Sequence, residues 1–336
     1  TDLFAAQQQF KRRASVLGAV GHGAVAFFKN YILKRGMFDG GDGWTIAFAN
    51  ASGAYYKYIK LHEANQRLTV SLIITTYNRP DALHLVLQSV LQQTVPPAEI
   101  IVADDGSGTD TEETVGRFAK TSPIPVKHVW QEDQGFRAAQ SRNRALAAAQ
   151  GPYIVLIDGD MVLHPEFIAD HLAVAREGRW VQGSRVLLTE AATAALLSSP
   201  LPVPFKPPFY SQGIMKKHAA IRCRSLMLLT ALPAGSSMKS IKSCNMGFFL
   251  KDAAAVNGFD NRFVGWGRED SEFAARLYHS GLGRTNLKFG GLAYHLWHRE
   301  EERASLPKND LLLRQTLESR AVRCENGMKE CCNKSE

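Results

Sequence analysis

"GPYIVLIDGDMVLHP", residues 151–165, reads as a buried strand that stops on two carboxylates. Residues 153–157 are apolar and β-branched enough for a strand covered on both faces. Asp158 and Asp160 follow with only Gly159 between them. Ending such a strand on two acids is costly unless a cation or hydrogen-bond donors meet them there. One account is a polar turn, where Asp and Gly are favoured residues. The other is a site of hard oxygen ligands, suited to Mg²⁺ or Mn²⁺ beside a diphosphate. The second account predicts partners at the same end of neighbouring strands.

Such strands are present. "LTVSLIITTY" (68–77), "AEIIVADDGSG" (98–108) and "PVKHVWQ" (125–131) alternate with the helical stretches "RPDALHLVLQSVLQQ" (79–93) and "FRAAQSRNRALAAAQ" (136–150). Consecutive strand–helix–strand units predict a mostly parallel sheet covered on both faces, with ligands beyond the carboxyl ends of its strands. "GGLAYHLWH" (290–298) reads as a last strand carrying His295 and His298. Asp104/Asp105, Asp158/Asp160 and His295/His298 are therefore expected to share one crevice.

The other motifs have two readings each. Asp105 either caps the element after its turn or accepts hydrogen bonds from a base or ribose. In "GWGREDSEFAARLYHSG" (265–281) the acids Glu269 and Asp270 suit a helix start, while Trp266 between glycines offers a face for a sugar and the paired carboxylates offer a general base. Among Arg137, Arg142 and Arg144, one is expected to meet a diphosphate, and we take Arg137 for it; such helix arginines otherwise face solvent. The histidines are ordinary edge-strand residues or, if the aspartates hold a metal, its further ligand. The Pro-rich "SSPLPVPFKPPFYSQG" (198–213) cannot be core sheet, and residues 190–240 are expected to form a surface excursion shaping an acceptor site. "GHGAVA" (21–26) matches a dinucleotide fingerprint only by chance, because no strand precedes it.

The 336 residues suit about two domains, and the +8 net charge is uneven. Residues 1–68 carry +5, the middle +3, and residues 301–336 are neutral. The basic first segment, interleaved with Phe27, Phe28, Tyr31, Phe38 and Trp44 and broken at the glycine-rich 36–43, suits an anionic membrane surface. No helix-turn-helix, zinc or RNA-binding signature accompanies the charge, so nucleic acid is not an expected partner. No signal peptide is visible, and the best spanning candidate, residues 44–58, is interrupted by Thr45, Asn50, Ser52 and Lys57. Cys223, Cys244, Cys324, Cys331 and Cys332 show no paired spacing, which favours a reducing compartment, and Cys331 and Cys332 lie in a tail expected to be disordered.

Together "VSLIITTYNRP", "IIVADDGS", "DQGFRAAQSRNRAL", "YIVLIDGDMVLHP" and "GWGREDSEFAARL" with "YHLWH" resemble the inverting family 2 glycosyltransferases of the GT-A fold. More narrowly they resemble the branch sharing a Trp-Gly-x-Glu-Asp segment with chondroitin-polymerase-type and β1,4-galactosyltransferase-like enzymes. The resemblance covers residues 69–300 and implies an α/β, Rossmann-like sheet flanked by helices, preceded by a small helical segment (1–66) and followed by a helical or disordered polar tail (301–336). It implies Thr75, Tyr77 and Asp105 around a nucleobase and Asp158 near a ribose. Asp160 would ligate Mn²⁺ or Mg²⁺ with His295, or alternatively His298, and Asp270 would be the base, with Trp266 and Glu269 beside the sugar or acceptor. At a helix start that base is expected to stay ionised without a raised pKa.

The reaction implied moves a sugar from a nucleotide-diphospho-sugar, a UDP-sugar by expectation, to a hydroxyl of a glycan or lipid-linked glycan in bacterial lipopolysaccharide or surface polysaccharide synthesis. The expected location is cytoplasmic, peripheral on the inner face of the inner membrane. "FFKNYILKRGMFDGGDGWTIAFANASGAYYKYIKLHE" (27–63) resembles the C-terminal end of bacterial lipopolysaccharide-core β-glucosyltransferases. The chain is accordingly expected to be a piece of a longer two-enzyme fusion, or to keep that segment as a membrane-surface anchor. The rival reading is a non-catalytic nucleotide-sugar or carbohydrate-binding module serving an upstream enzyme.

Overall fold

The computed structural model describes residues 16–66, 68–299 and 303–332. The chain divides after Leu68 into two compact units.

The first unit is a helical hairpin: α1 (Val16–Phe28) runs into a π-turn (Lys29–Leu33), and α2 (Gly40–Gln66) returns along it. Small residues let the helices approach, for Ala19 and Ala47 are fully buried and a Cβ on Gly23 would lie 3.3 Å from the Ala51 carbonyl oxygen. His22 stacks on Tyr58 with ring centroids 3.7 Å apart. The expected glycine-rich break is real, and Gly43 could carry no side chain because its Cβ would collide with the Gly36 carbonyl. Residues 21–26 lie inside α1, which removes the dinucleotide fingerprint. One expectation changes. Among the described residues the window Val16–Leu33, 18 residues with mean hydropathy 1.3, meets the length and composition of a membrane-crossing helix. Its one ionisable side chain besides His22 and Tyr31 is Lys29, so this window replaces residues 44–58 as the best spanning candidate.

The second unit is an α/β domain. Its strands and helices run β1 (Val70–Thr76), α3 (Pro80–Leu91), β2 (Glu99–Asp104), α4 (Thr109–Thr121), β3 (Val126–Trp130), α5 (Ala138–Ala148) and β4 (Tyr153–Asp158). Then follow β5 (Met161–Leu163), α6 (Phe167–Val174), β6 (Arg179–Gln182), β7 (Val186–Leu188), α7 (Glu190–Leu197), β8 (Ile214–Met215), α8 (Arg224–Thr230), β9 (Pro233–Ala234), β10 (Asn245–Phe249) and α9 (Leu250–Ala255). The chain closes with α10 (Glu269–His279), β11 (Gly283–Asn286), β12 (Ala293–His295), α11 (Leu306–Ser319) and α12 (Met328–Cys332).

The main sheet has the order β3-β2-β1-β4-β10-β6-β11-β9. β1 pairs in parallel with β2 and β4, and β2 with β3, so Thr75 stands beside Ala103 on one side and Asp158 on the other. The sheet is mixed, because β10 runs antiparallel between β4 and β6. Ile73, Ile154, Leu156, Trp180, Phe248, Phe259 and Phe273 form its buried core. Each such side chain contributes roughly 1.5–3 kcal/mol on burial.

A second, four-stranded sheet has the order β5-β12-β7-β8. β4 and β5 therefore belong to different sheets, and the Asp158–Asp160 turn is not a hairpin. "GGLAYHLWH" is strand only over Ala293–His295, so His298 lies beyond it. The Pro-rich stretch is irregular but partly packed, with Phe205 edge-on to Tyr294. The tail, expected to be helical or disordered, is helical in α11 and α12; the segment holding Cys331 and Cys332, expected to be disordered, forms α12, and Cys324 and Cys331 are buried. Cys223, Cys244 and Cys324 are free thiols.

Candidate active site

The carboxyl ends of β1, β2 and β4 open on a cavity of about 690 Å³. Gly159 brings the aspartate turn to its wall: its N–H donates to the Thr75 carbonyl at 2.7 Å, and a Cβ there would crowd the same oxygen at 3.1 Å. The Asp160 carbonyl in turn accepts from the Leu296 N–H at 2.9 Å, which draws the segment after β12 to the turn.

Three ligand-type side chains meet as a result. Asp160, His295 and His298 present donor atoms all within 4.8 Å of one another. Asp160 Oδ2 lies 3.6 Å from His295 Nε2 and 3.3 Å from His298 Nε2, with the Arg79 guanidinium also at 3.3 Å. Its Oδ1 is buried and has no hydrogen-bond partner, a costly state unless something cationic meets it. His298 Nδ1 lies 2.6 Å from the Arg299 carbonyl, so it donates there and leaves Nε2 with its lone pair toward Asp160. Burial, with Arg185 nearby, holds His295 down at about 3, in the neutral form that binds metals. Burial and Asp158 push the Asp160 carboxyl up to about 6. One carboxylate oxygen and two imidazole nitrogens around an unpaired buried oxygen fit a divalent ion. Both histidines face the site, so the alternatives left open by the sequence become a pair.

Thr75, Tyr77, Asp105 and Asp158 line the same cavity. Tyr77 is half exposed and its hydroxyl donates to Asp133 at 2.9 Å. The two neighbouring aspartates divide the roles read for the β2 end. Asp104 turns inward, accepting from His128 Nε2 and the Ser107 N–H at 2.8 Å each, and so holds the local turn. Asp105 faces the cavity, accepting from Gln131 at 2.5 Å and from the Arg137 N–H at 2.7 Å, and burial pushes it up to about 6. Asp104 is thus not in the crevice.

Arg137 is a second correction. Its guanidinium donates to the Glu132 carbonyl at 2.9 Å and is absent from the cavity wall; it reaches the site only through its backbone. The arginine at the site is Arg142. It is almost fully buried and donates to Glu269 at 3.0 Å, to Thr75 at 3.3 Å and to Asp158 at 3.5 Å, with the Phe259 ring 5.5 Å away. The signal was present in the sequence: Ala138, Ala139, Arg142, Ala145 and Leu146 form one helical stripe, which marks Arg142 as the inward cation. Arg185 and Lys242 also line the cavity and carried no signal that composition alone reveals.

Arg142, Asp158, Arg185, Lys242 and Trp266 are shared with an adjoining cavity of about 380 Å³ that holds Glu269 and Asp270. Trp266 is 38% exposed, on a loop whose Gly265, Gly267 and Arg268 all have left-handed φ values of 78°, 103° and 78°. The C-terminal segment fixes that loop. A Cβ on Gly265 would collide with Ser305, and the buried Asn309 of α11 donates to the Gly267 carbonyl at 2.9 Å. The Arg303 guanidinium sits 5.1 Å from the Trp266 ring centroid.

Asp270 is the second residue of α10, and Arg268 occupies the cap position, so Asp270 does not cap the helix. Its Oδ1 accepts from the Ser271 N–H at 2.6 Å and hydroxyl at 3.2 Å, leaving Oδ2 without a hydrogen bond among the described residues. Burial, then Glu269, pushes its carboxyl up to about 7. This departs from the expectation that the helix dipole alone would keep it ionised. Glu269 spends one oxygen on Arg142, and its Oε2 is buried without a partner.

Comparison with known proteins places this geometry. Residues 71–225 match the family described as glycosyl transferase family 2, and residues 230–299 match the N-terminal domain of galactosyltransferase. The chain is 28% identical to chondroitin synthase of Escherichia coli over 244 residues, covering 67% of this chain and 34% of the relative. It is 27% identical to hyaluronan synthase of Pasteurella multocida, covering 71% and 26%, and 29% identical to validoxylamine A glucosyltransferase of Streptomyces hygroscopicus, covering 64% and 49%. The chain thus spans a quarter to a half of these relatives. Among solved structures, S. aureus TarS 1–349 in complex with UDP superposes with a TM-score of 0.53 at 16% identity, covering 78% of this chain and 68% of that one. A Pyrobaculum calidifontis mannosyltransferase in complex with GDP-Man and Mn²⁺ gives 0.50 at 18%, covering 78% and 66%.

Proposed function

This chain belongs to the family 2 glycosyltransferases, with the GT-A fold, and from that premise we propose that it transfers a sugar, with inversion, from a nucleotide-diphospho-sugar to a hydroxyl of a glycan acceptor. The observation that carries the reading is the buried, unpartnered Oδ1 of Asp160 facing His295 and His298 at the end of β4. Bound there, a divalent cation would screen the charge of a leaving diphosphate. Two imidazole nitrogens favour Mn²⁺ over Mg²⁺, which prefers oxygen.

Asp105 and Tyr77 hold the nucleobase side in this reading, with Thr75 and Asp158 against the nucleoside and diphosphate, and Arg142 keeps Asp158 and Glu269 in place. A uridine nucleotide is the donor proposed; the TarS complexes contain UDP and UDP-GlcNAc. Trp266 supplies a flat face for a sugar ring in the adjoining cavity, and Glu269 offers its free oxygen to a hydroxyl. Asp270 Oδ2 takes the acceptor's proton as its oxygen attacks. With its carboxyl near 7, Asp270 is partly ionised at neutral pH and a stronger base than an ordinary aspartate. A binding-only module would have no use for a free carboxylate of that basicity beside the donor cavity. The proposed setting is bacterial polysaccharide synthesis, a reading supported by the similarity to chondroitin and hyaluronan synthases, and the basic residues of the first unit suit an anionic membrane surface.

The test is turnover of UDP-sugars with Mn²⁺, alongside Asp160→Asn. The variant should lose transfer and Mn²⁺ binding by calorimetry while keeping its circular dichroism. Full transfer by the variant would overturn the site.

A further inference from the structure

A third cavity, of about 430 Å³, lies where β6 and β11 end, walled also by the segments after β8 and before β10. Arg185, Lys216, Lys239, Lys242, Arg284 and Lys288 line it, and no acidic side chain does. None of the six forms an ion pair among the described residues. Two of them are held with a donor unspent, for the Nε atoms of Arg185 and Arg284 are buried without a hydrogen-bond partner. Arg284 is 6% exposed, its guanidinium is 5.8 Å from the Trp180 ring centroid, and its one side-chain hydrogen bond goes to the Lys239 carbonyl at 3.1 Å. Burial and the neighbouring Arg185 hold the Lys242 ammonium below its usual range. Six crowded cations repel one another, and buried donors without acceptors add to the cost. Both costs fall when anionic oxygens enter.

Position says which anion. Arg185 and Lys242 also line the two cavities of the site, so the basic groove is continuous with them. Lys216, Lys239, Arg284 and Lys288 line neither, and so stand apart from the wall that carries Asp158 and Asp160. We propose that this groove binds the acidic groups of the acceptor, an anionic glycan bearing carboxylates or phosphates along its chain. The word acceptor rests on the transfer reading; the anion site itself does not.

The test is the variant Lys216→Gln/Lys239→Gln/Lys288→Gln in the full chain, all three side chains being exposed and unpaired. The probes are a glucuronate-containing tetrasaccharide, its neutral methyl ester and a glycerol-phosphate oligomer, with binding read by calorimetry at low and high salt. The wild type should bind at least one acidic probe roughly tenfold more tightly than the ester, and the variant should lose about that factor, with the difference shrinking in high salt. The tighter of the two acidic probes identifies the anion as carboxylate or phosphate. Equal binding of acid and ester, or unchanged affinity in the variant, overturns the proposal. So does a parallel loss of UDP binding, which would put these lysines on the donor's phosphates. Lysine-dependent binding without any sugar turnover would remove the transfer reading and keep the groove.

Discussion

At Asp270, one carboxylate oxygen is tied to Ser271, the other opens on the cavity, and the group titrates near 7. Because Arg268 holds the cap position, Asp270→Asn removes no helix cap. Turnover should fall by roughly 10²–10⁴, while UDP binding stays, as kcat and a separate UDP titration would show. Wild-type turnover should rise through pH 7 and level off above it. Stability runs the other way. The folded value lies above the ordinary one, so this group's contribution is complete at acid pH and is lost as pH rises through about 7. Near-normal turnover in the Asn variant would move the search to Glu269. Asp160 and Asp270 stand out in the sequence because a carboxylate at a strand end or helix start demands an explanation, whereas His295 comes forward, with His298 as its alternative, only through the resemblance. Arg142 was legible in principle, since it shares a helical stripe with Ala138 and Ala145, but three arginines on one helix invited the wrong choice. The choice of Asp105 over Asp104 rests on the family resemblance, because an aspartate pair at a strand end does not itself say which carboxylate turns inward.

Among the elements, the turn between β4 and β5 depends on a missing side chain. Gly159→Ala would press a methyl against Thr76 Oγ1 at 3.0 Å and the Thr75 carbonyl at 3.1 Å. Contacts that tight force the turn outward, carrying Asp160 from the histidines. Mn²⁺ affinity should weaken by roughly tenfold or more, with a stability loss of about 1–3 kcal/mol by denaturant titration. Unchanged Mn²⁺ affinity would show that the turn adapts. The parallel strands β1 to β4 were readable because apolar runs end in turn residues and alternate with helices. β10 was not, because "NMGFF" has no alternation, and its antiparallel pairing with β4 arises from a long return of the chain. Of the second sheet only the strand before His295 stands out in the sequence, because its strands have two or three residues each.

Over the whole molecule, the first unit presents an exposed apolar surface of its own. Leu17, Phe38 and Leu33 are 84%, 74% and 69% exposed there, among a local excess of basic residues. The full chain should therefore float with anionic vesicles and not with neutral ones. Release by high salt would indicate surface attachment, whereas retention through a salt wash would indicate insertion of Val16–Leu33. The far end of the chain has the subtler consequence. The Trp266 loop borrows its shape from Ser305 and Asn309, which lie beyond the residues matched to the family. A chain ended at residue 299 would lose Arg303 from both cavities and the brace on the Trp266 loop, while the strand-end residues of the proposed donor cavity remain. Its failure should be leakage: donor consumed by water instead of by a sugar hydroxyl. The ratio of free sugar released to product formed should rise in the shortened chain, and an unchanged ratio would show that the loop holds its form alone. Fidelity in such a molecule would then be a property of α11, written some forty residues away from the proposed base.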